Sequence, residues 1–253
     1  MTGPMEQSTS VRALELHGLT KHFGGVRALT DVTLHVDRNE ILGLIGPNGS
    51  GKTTLLNVVS GTFPPTAGKV LLDGASLTGS SAHQVARRGI ARTFQNIRLF
   101  GGLSVEENVA SAAYAPGGSR GDVITRTRDA LDEVGLLDAA ETRASTLPYG
   151  GQRRLEIARA LAAEPTVLLL DEPAAGLNEQ ESDELLALVH RIRDRRACAT
   201  IVVEHDMRLI MRLCDRIHVL DAGRTLFVGD PSQVRASDDV AEAYLGRKRG
   251  NGA

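Results

Sequence analysis

The sequence lacks several features that mark common classes of protein. Cysteine occurs only at Cys198 and Cys214, whose spacing does not suit a metal site, so we expect reduced, buried thiols in a cytosolic protein. No apolar run approaches the roughly 18 residues needed to cross a bilayer, and residues 1–10 are polar, without the apolar core of a signal peptide. The sequence therefore predicts a soluble chain with a disordered N-terminus at 1–10 and a disordered tail at 247–253.

An excess of positive charge is also missing. The 253 residues carry 29 Lys and Arg against 31 Asp and Glu, a formal net charge of −2. Without a broad basic surface, we expect no nucleic acid partner. A chain of this length can bury a sizeable core as one large domain, or as one domain with an inserted subdomain.

A glycine-rich segment, G-P-N-G-S-G-K-T-T at 46–54, follows the apolar run 41–45. Glycines let successive backbone N–H groups converge, and a helix that begins near Lys52 adds the positive end of its dipole, so the loop suits a polyphosphate. Lys52 would reach the β- and γ-phosphates, and the Thr53 hydroxyl suits Mg²⁺. The alternative is a turn that only caps a helix, but the complete pattern after a strand favours a nucleotide site. The candidate residues are Gly46, Pro47, Asn48, Gly49, Ser50, Gly51, Lys52, Thr53 and Thr54.

Two adjacent acids follow a second apolar run, 167–170. Open α/β sheets place ligand groups at the carboxyl ends of their strands. There Asp171 would hold Mg²⁺, usually through water, and Glu172 could polarise a water for attack on the γ-phosphate. A solvated acidic helix start is the alternative. His205 follows the strand 201–203, so it is a candidate sensor or stabiliser of the γ-phosphate, or else a structural hydrogen-bonding residue.

Three further segments carry candidate residues. The amide of Gln95 can touch both Mg²⁺ and water and report nucleotide state, unless it is only a polar loop residue. Phe23 could stack on adenine or belong to the core. In the segment 147–161, Gly150 and Gly151 open a helix and offer a second set of N–H donors to an anion, although a helix start after a tight turn would look similar.

The order of elements indicates an α/β protein. Short β-rich runs at 13–17, 32–36 and 70–73 surround the central strand. Helical periodicity dominates from about 99 to 145, with a capped start at Ser104 and an amphipathic stretch at 122–134. Apolar strands at 166–170, 200–203 and 217–220 then alternate with helical segments, which predicts a parallel sheet.

Together these residues resemble the ATPase subunit of ATP-binding cassette (ABC) transporters over nearly the whole chain. The resemblance rests on the order of six features along the chain. These are the aromatic loop with Phe23, the phosphate loop at 46–54, Gln95, the glycine signature at 147–151, the acid pair Asp171 and Glu172, and His205. It implies an α/β P-loop NTPase fold of the RecA-like type: a mostly parallel sheet with an antiparallel β subdomain and an inserted α-helical subdomain. We expect a single nucleotide-binding domain at 11–246, with the helical subdomain at about 97–160.

The resemblance also implies a mechanism. Lys52, Glu172 and His205 would be catalytic, with Mg²⁺ held by Thr53, Gln95 and Asp171. ATP held by one subunit would be closed in trans by a second ATPase subunit, identical or different, in a head-to-tail dimer. The in-trans contacts are Tyr149, Gly150 and Gly151. Membrane permease subunits would touch the groove near Gln95 at the cytoplasmic face of the membrane, and a substrate-binding protein would act indirectly.

Finer features resemble the longer type of ATPase subunit in branched-chain amino acid importers. These features lie at 91–100, 149–154, 171–178 and 241–246, although the last ending also occurs in related importers, including those for urea. One rival is a lipopolysaccharide-export ATPase, which normally keeps a Ser-Gly-Gly-Glu signature. The other is a non-transport cassette ATPase of the iron-sulfur assembly type, or a translation or DNA-repair factor; those factors usually need coiled-coil insertions or tandem cassettes, which this sequence lacks.

The sequence departs from the family pattern at three places. In the signature, one alignment puts Pro148 in the place of the usual serine, and a second alignment puts Tyr149 there. Either way the serine hydroxyl is missing, and Gly150 is the safest phosphate contact. Phe23 replaces the commoner tyrosine and keeps its stacking face. Asn178 stands where many relatives have aspartate, a difference that the resemblance links to communication across the dimer.

Overall fold

A computed structural model describes residues 11–245. Its strands form two sheets, one of four strands in the order β2-β1-β4-β5 and one of six in the order β10-β9-β3-β8-β7-β6. The strands are β1 Arg12–Phe23, β2 Val26–Asp37, β3 Ile41–Ile45, β4 Ala67–Leu72, β5 Ala75–Ser76, β6 Ile90–Arg92, β7 Val167–Asp171, β8 Ala199–Val203, β9 Arg216–Asp221 and β10 Arg224–Gly229. The helices are α1 Lys52–Val59, α2 Ala82–Arg87, α3 Val105–Ala113, α4 Arg120–Glu133, α5 Tyr149–Leu161, α6 Glu179–Arg196, α7 Met207–Leu213, α8 Pro231–Ala236 and α9 Asp238–Leu245.

The six-stranded sheet is parallel except at β10, which pairs antiparallel with β9. Every residue of β3, β7 and β8 is buried, as expected for parallel strands covered on both faces. This confirms the mostly parallel sheet that the apolar runs predicted. The acid pair, the phosphate loop and His205 all follow the carboxyl ends of these strands.

The four-stranded sheet is antiparallel throughout. Its first two strands form a hairpin with twelve residues in each strand, closed by Gly24 and Gly25 so that Phe23 pairs with Val26. The sequence predicted only the segments 13–17 and 32–36, which lie in the halves of these strands away from the hairpin turn. The halves next to the turn, 18–23 and 26–31, were not predicted because Leu19 and Leu29 are their only buried residues, which leaves no hydrophobic alternation to recognise. Cross-strand pairing orders these halves.

Helices α3, α4 and α5 come between strands β6 and β7 in the sequence. Ser104 caps α3 through a capping box with Glu107, as the sequence predicted, and Ser119 caps α4 in the same way with Asp122. The division into one domain at 11–246 with a helical subdomain at about 97–160 stays a prediction. The tails predicted to be disordered, 1–10 and 247–253, lie outside the described residues, as does Gly246.

Two hydrophobic clusters cover the two faces of the parallel sheet. Side chains of β3 alternate between them: Ile41 and Ile45 pack with α5, α6 and α7, whereas Leu42 and Leu44 pack with α1 and the antiparallel sheet. Cys198 and Cys214 are free and buried, as predicted, and burial raises the pKa of the Cys198 thiol to about 12. Within residues 11–245, none of the helices has the length and apolar character required to traverse a bilayer.

Candidate nucleotide-binding site

The loop between β3 and α1 has a backbone that only glycine allows. Gly46, Gly49 and Gly51 have φ values of 148°, 80° and 105°. A Cβ atom on Gly46 would lie 2.1 Å from the carbonyl oxygen of Leu220, and one on Gly51 would lie 2.7 Å from that of Ala28. The loop is therefore pressed against its neighbours and leads directly into the first turn of α1, where N–H donors face outward.

Lys52 folds back over this loop. Its Nζ donates to the carbonyl oxygens of Gly46 at 2.7 Å and Pro47 at 3.1 Å. Burial lowers the pKa of Lys52, whereas the charges of Glu172 and Asp171 act to raise it. An anion could replace those two carbonyls as the partner of the lysine. The buried Ser50 hydroxyl has no hydrogen-bond partner within the described residues, so the cradle also offers an unused polar group to a phosphate.

Asp171, the last residue of β7, is held by an arginine that the sequence analysis missed. Arg92 donates to Asp171 Oδ2 at 2.8 Å and to Asn57 Oδ1 at 2.7 Å, and the side chains of the ion pair are only 6% and 8% exposed. Arg92 ends β6, the parallel neighbour of β7. A charged residue at the end of a short strand is a weak signal in the sequence that Arg92 has a special role. Only the order of strands in the sheet shows that Arg92 lies beside Asp171.

Glu172 lies at the centre of a three-residue cluster. Gln95 Nε2 donates to Glu172 Oε2 at 2.8 Å, and His205 Nδ1 lies 3.4 Å from Glu172 Oε1. Glu172 has a φ of 48°, in the left-handed region that few side chains adopt, and its N–H donates to Val203 on the neighbouring strand. The structure thus brings together three residues that lie far apart in sequence.

The residues proposed for Mg²⁺ offer oxygen donors of the kind that this ion prefers. Thr53 is in the first turn of α1, directly after Lys52, and Asp171 supplies a carboxylate. Because the Nε2 of Gln95 is used by Glu172, its amide oxygen remains as the acceptor on that side chain. The donor set therefore fits a hard divalent cation.

The glycine signature lies at the start of α5. The helix begins at Tyr149, one residue before the two glycines, and Pro148 is its N-cap without a side-chain hydrogen bond. The Tyr149 hydroxyl donates to the carbonyl of Ala175 at 3.0 Å, and a Cβ on Gly150 would lie 2.7 Å from Glu181 Oε1. Within one chain the signature therefore contacts the segment after the acid pair, and its role in trans stays a prediction.

Arg153 joins the signature helix to the Gln95 loop. The side chain is fully buried and donates to the carbonyls of Phe94 at 2.8 Å and Gln95 at 3.0 Å, and it pairs with Glu156 at 2.9 Å. Burial raises the pKa of Glu156, and the charge of Arg153 opposes that shift. Sequence reasoning missed Arg153 because the periodicity of α5 gives no sign that an arginine lies inside.

Phe23 ends β1 and is 42% exposed, so the core alternative does not describe it. Its ring meets Phe63 edge to face, with centroids 5.4 Å apart, and Lys21 Nζ lies 4.9 Å from its centroid. A flat, accessible ring of this kind suits stacking on a base. Phe63 was not among the residues that the sequence indicated.

Comparisons with known proteins identify the family of this chain. A family model described as ABC transporter matches residues 29–175. The high-affinity branched-chain amino acid transport ATP-binding protein BraF of Pseudomonas aeruginosa is 42% identical over 248 residues, which cover 92% of this chain and 97% of that protein.

Solved structures agree as well. MJ1267, an ATP-binding cassette of an ABC transporter in its ADP conformation, superposes with a TM-score of 0.84 at 25% identity and covers 93% of this chain and 99% of its own. A dimeric structure of the ATP-binding cassette MJ0796 with ADP and Pi has a TM-score of 0.76 at 27% identity, covering 86% and 98%. The chain therefore belongs to the ABC transporter family, as an ATP-binding and ATP-hydrolysing subunit with the P-loop NTPase fold.

Proposed function

We propose that this chain powers an importer of branched-chain amino acids by hydrolysing ATP at the edge of its parallel sheet. The observation that carries the proposal is the convergence of Lys52, Gln95, Asp171, Glu172 and His205 at the carboxyl ends of the strands. The amino acid specificity is supported by the similarity to BraF over most of both chains.

Each residue has a defined task in the proposed reaction. The phosphate loop and Lys52 bind the phosphates, since the lysine exchanges its two carbonyl partners for anionic oxygens. Glu172 accepts a proton from the attacking water, and its hydrogen bond from Gln95 fixes the orientation of the carboxylate. His205, which lies beside Glu172, would steady the γ-phosphate. Mg²⁺, held by Thr53, Gln95 and Asp171, would neutralise charge that develops on the phosphates.

Two subunits act together in the proposed cycle. The first turn of α5, with Gly150 and Gly151, would close on the nucleotide of a second ATPase subunit, identical or different. The dimeric cassette MJ0796 supports this arrangement. Because Arg153 binds the carbonyl of Gln95, closure of the signature and movement of the Gln95 loop would be coupled within each subunit.

A groove beside the Gln95 loop supplies the proposed permease contact at the cytoplasmic face of the membrane. It has a volume of about 490 Å³ and is lined by Phe94, Arg98, Leu99, Phe100, Ser111 and Arg159. Phe100 is 55% exposed, and Arg159 lies over its ring at 5.8 Å. An exposed aromatic rimmed by arginines suits a short amphipathic segment of a membrane subunit.

Binding and turnover of MgATP test the nucleotide site. Millimolar MgATP should raise the melting temperature of the purified chain, because a ligand of the folded state stabilises it. The purified chain should also release phosphate from MgATP. No shift in melting temperature would contradict the proposal.

Permease coupling is tested by Phe100→Asp. We expect this variant to lose co-purification with its permeases and uptake of branched-chain amino acids, while the isolated chain keeps its ATP affinity. The matched control is Tyr114→Asp, the same kind of change at an exposed aromatic directly after α3. Full uptake by the Phe100 variant would rule out this groove. Uptake of a different solute class by the wild type would overturn only the assignment of substrate.

A further inference from the structure

Tyr244, in the last described helix α9, contacts the start of the phosphate loop. Its hydroxyl oxygen accepts a hydrogen bond from the backbone N–H of Gly46 at 2.8 Å, across 198 residues of sequence. The sequence indicated 241–246 only as a feature shared with a subfamily. Nothing in the proposed mechanism uses this tyrosine.

The Gly46 N–H lies beyond the end of the sheet ladder. The last pairs of β3 are Ile45 with Val219 on one side and Leu44 with Val203 on the other. Gly46 is buried, so its N–H needs a partner other than water, and Tyr244 supplies it.

The same glycine is bound on its other side by the phosphate-binding lysine. Lys52 Nζ donates to the Gly46 carbonyl at 2.7 Å. Gly46 is thus bonded at its N–H by Tyr244 and at its carbonyl by Lys52. When Lys52 turns to a phosphate, the bond from Tyr244 still fixes the entry to the loop.

The Tyr244 side chain is partly buried and remains 37% exposed. Its ring lines a groove of about 680 Å³ between α7, α8 and α9, together with Met207, Met211, Val234 and Val240. Burial raises the pKa of the Tyr244 hydroxyl, whereas its hydrogen bond from Gly46 acts to lower it. The partly buried hydroxyl therefore lies in place to accept a hydrogen bond from the Gly46 N–H.

We propose that Tyr244 is a positioning residue that keeps the phosphate loop shaped for ATP by holding the Gly46 amide, so that the C-terminal helix α9 sets nucleotide affinity. This inference rests on the proposed nucleotide site. Since Glu172 and Gln95 lie on other elements, the hydroxyl affects binding of ATP more than the chemical step.

The test is Tyr244→Phe in the full-length chain, which removes the hydroxyl and keeps the ring. We expect the Kd and KM for MgATP to rise about 3- to 10-fold, the effect of one lost hydrogen bond, with kcat changed less than about 2-fold. Residue-resolved hydrogen exchange of the Gly46 amide should become faster. Tyr114→Phe, which removes an exposed hydroxyl directly after α3, should change none of these quantities.

The possible outcomes separate this inference from the proposed function. If the wild type fails to bind MgATP, the nucleotide site itself is wrong. If the wild type and Tyr244→Phe bind MgATP equally well, only the proposed role of Tyr244 is wrong. A lower melting temperature of the variant with unchanged Kd and KM would then show that the hydroxyl contributes to packing alone. If Tyr244→Phe does not fold, hydrogen exchange in the wild type still tests the inference. Exchange of the Gly46 amide as fast as that of the amide of the exposed Gly79 would overturn it.

Discussion

The side-chain amide of Gln95 donates a hydrogen bond of 2.8 Å to the carboxylate of Glu172, joining a loop at the edge of the sheet to the end of a central strand. The donor leaves the second carboxylate oxygen facing His205 at 3.4 Å. Because the Gln95 loop also borders the proposed permease groove, one hydrogen bond connects that groove to Glu172, the residue proposed to activate water.

Replacing Glu172 with glutamine tests this centre. The amide has nearly the same shape but cannot accept a proton, so phosphate release should fall by at least about 100-fold. ATP binding should be retained, and ATP-bound dimers should accumulate on size-exclusion chromatography. Glu184→Gln, at an exposed position on α6, should keep full activity. Turnover at the wild-type rate in the Glu172 variant would remove its assigned role.

Removing the positive charge of Lys52 from the phosphate loop should affect nucleotide binding. Lys52→Ala should weaken MgATP binding by about 10- to 100-fold, since it deletes a charge-assisted contact to the phosphates. Equilibrium binding with a fluorescent ATP analogue measures the change. Lys69→Ala, an exposed lysine on β4, provides the control. Unchanged affinity in the Lys52 variant would contradict the assignment of the loop.

Arg153 makes a testable contribution to both stability and activity. Arg153→Ala leaves Glu156 buried without its ion-pair partner, so the free energy of unfolding should fall by about 3–5 kcal/mol. Arg153→Lys should lose less stability but still lower turnover, because a lysine cannot bind the Phe94 and Gln95 carbonyls with the same fork. Denaturant unfolding and phosphate release measure the two effects. Equal stability of Arg153→Ala and of Arg154→Ala, its partly buried neighbour, would contradict this account.

A buried histidine predicts how stability depends on pH. His218 is fully buried beside Thr225, and burial, assisted by the charge of Arg216, lowers its pKa to about 4 from 6.5. The native state therefore keeps it neutral where the unfolded state binds a proton, so stability is lost as pH falls from about 6.5 towards 4. Its contribution should decrease by about 2 kcal/mol between pH 7 and 5.

His218→Gln isolates that contribution. Glutamine can still bond Thr225 but does not titrate. Denaturant unfolding at pH 7 and pH 5 should show a smaller loss of stability in the variant than in the wild type. Equal losses in both proteins would show that His218 does not cause the dependence.

Local sequence was sufficient for the elements whose structure follows from short-range chemistry. Buried parallel strands are continuous apolar runs, so the strands before Lys52, before Asp171 and before His205 were identified correctly. The capped start of α3 at Ser104 follows from a side chain bonding its own helix. The site residues share the edge that this strand order predicts, although their assigned roles await the variants above.

Other features depend on residues that are distant in sequence. The halves of β1 and β2 next to their turn are ordered by pairing with each other, and the sequence of α9 gives no sign of its contact with the phosphate loop. Arg92 and Arg153 were missed because a buried arginine can be recognised only when its carbonyl and carboxylate partners are known.

The sequence by itself determined the chemistry of this protein: a phosphate loop, an acid pair and the order of motifs that identifies the ABC family. Those are properties of short segments, because the backbone freedom of a glycine and the chemistry of a carboxylate do not depend on the path of the rest of the chain. Only the tertiary structure decided which groups hold them, namely Arg92 on Asp171, Gln95 on Glu172 and Tyr244 on Gly46. Such bonds join segments up to 198 residues apart, and their partners meet only because the sheet and its helices pack in one arrangement.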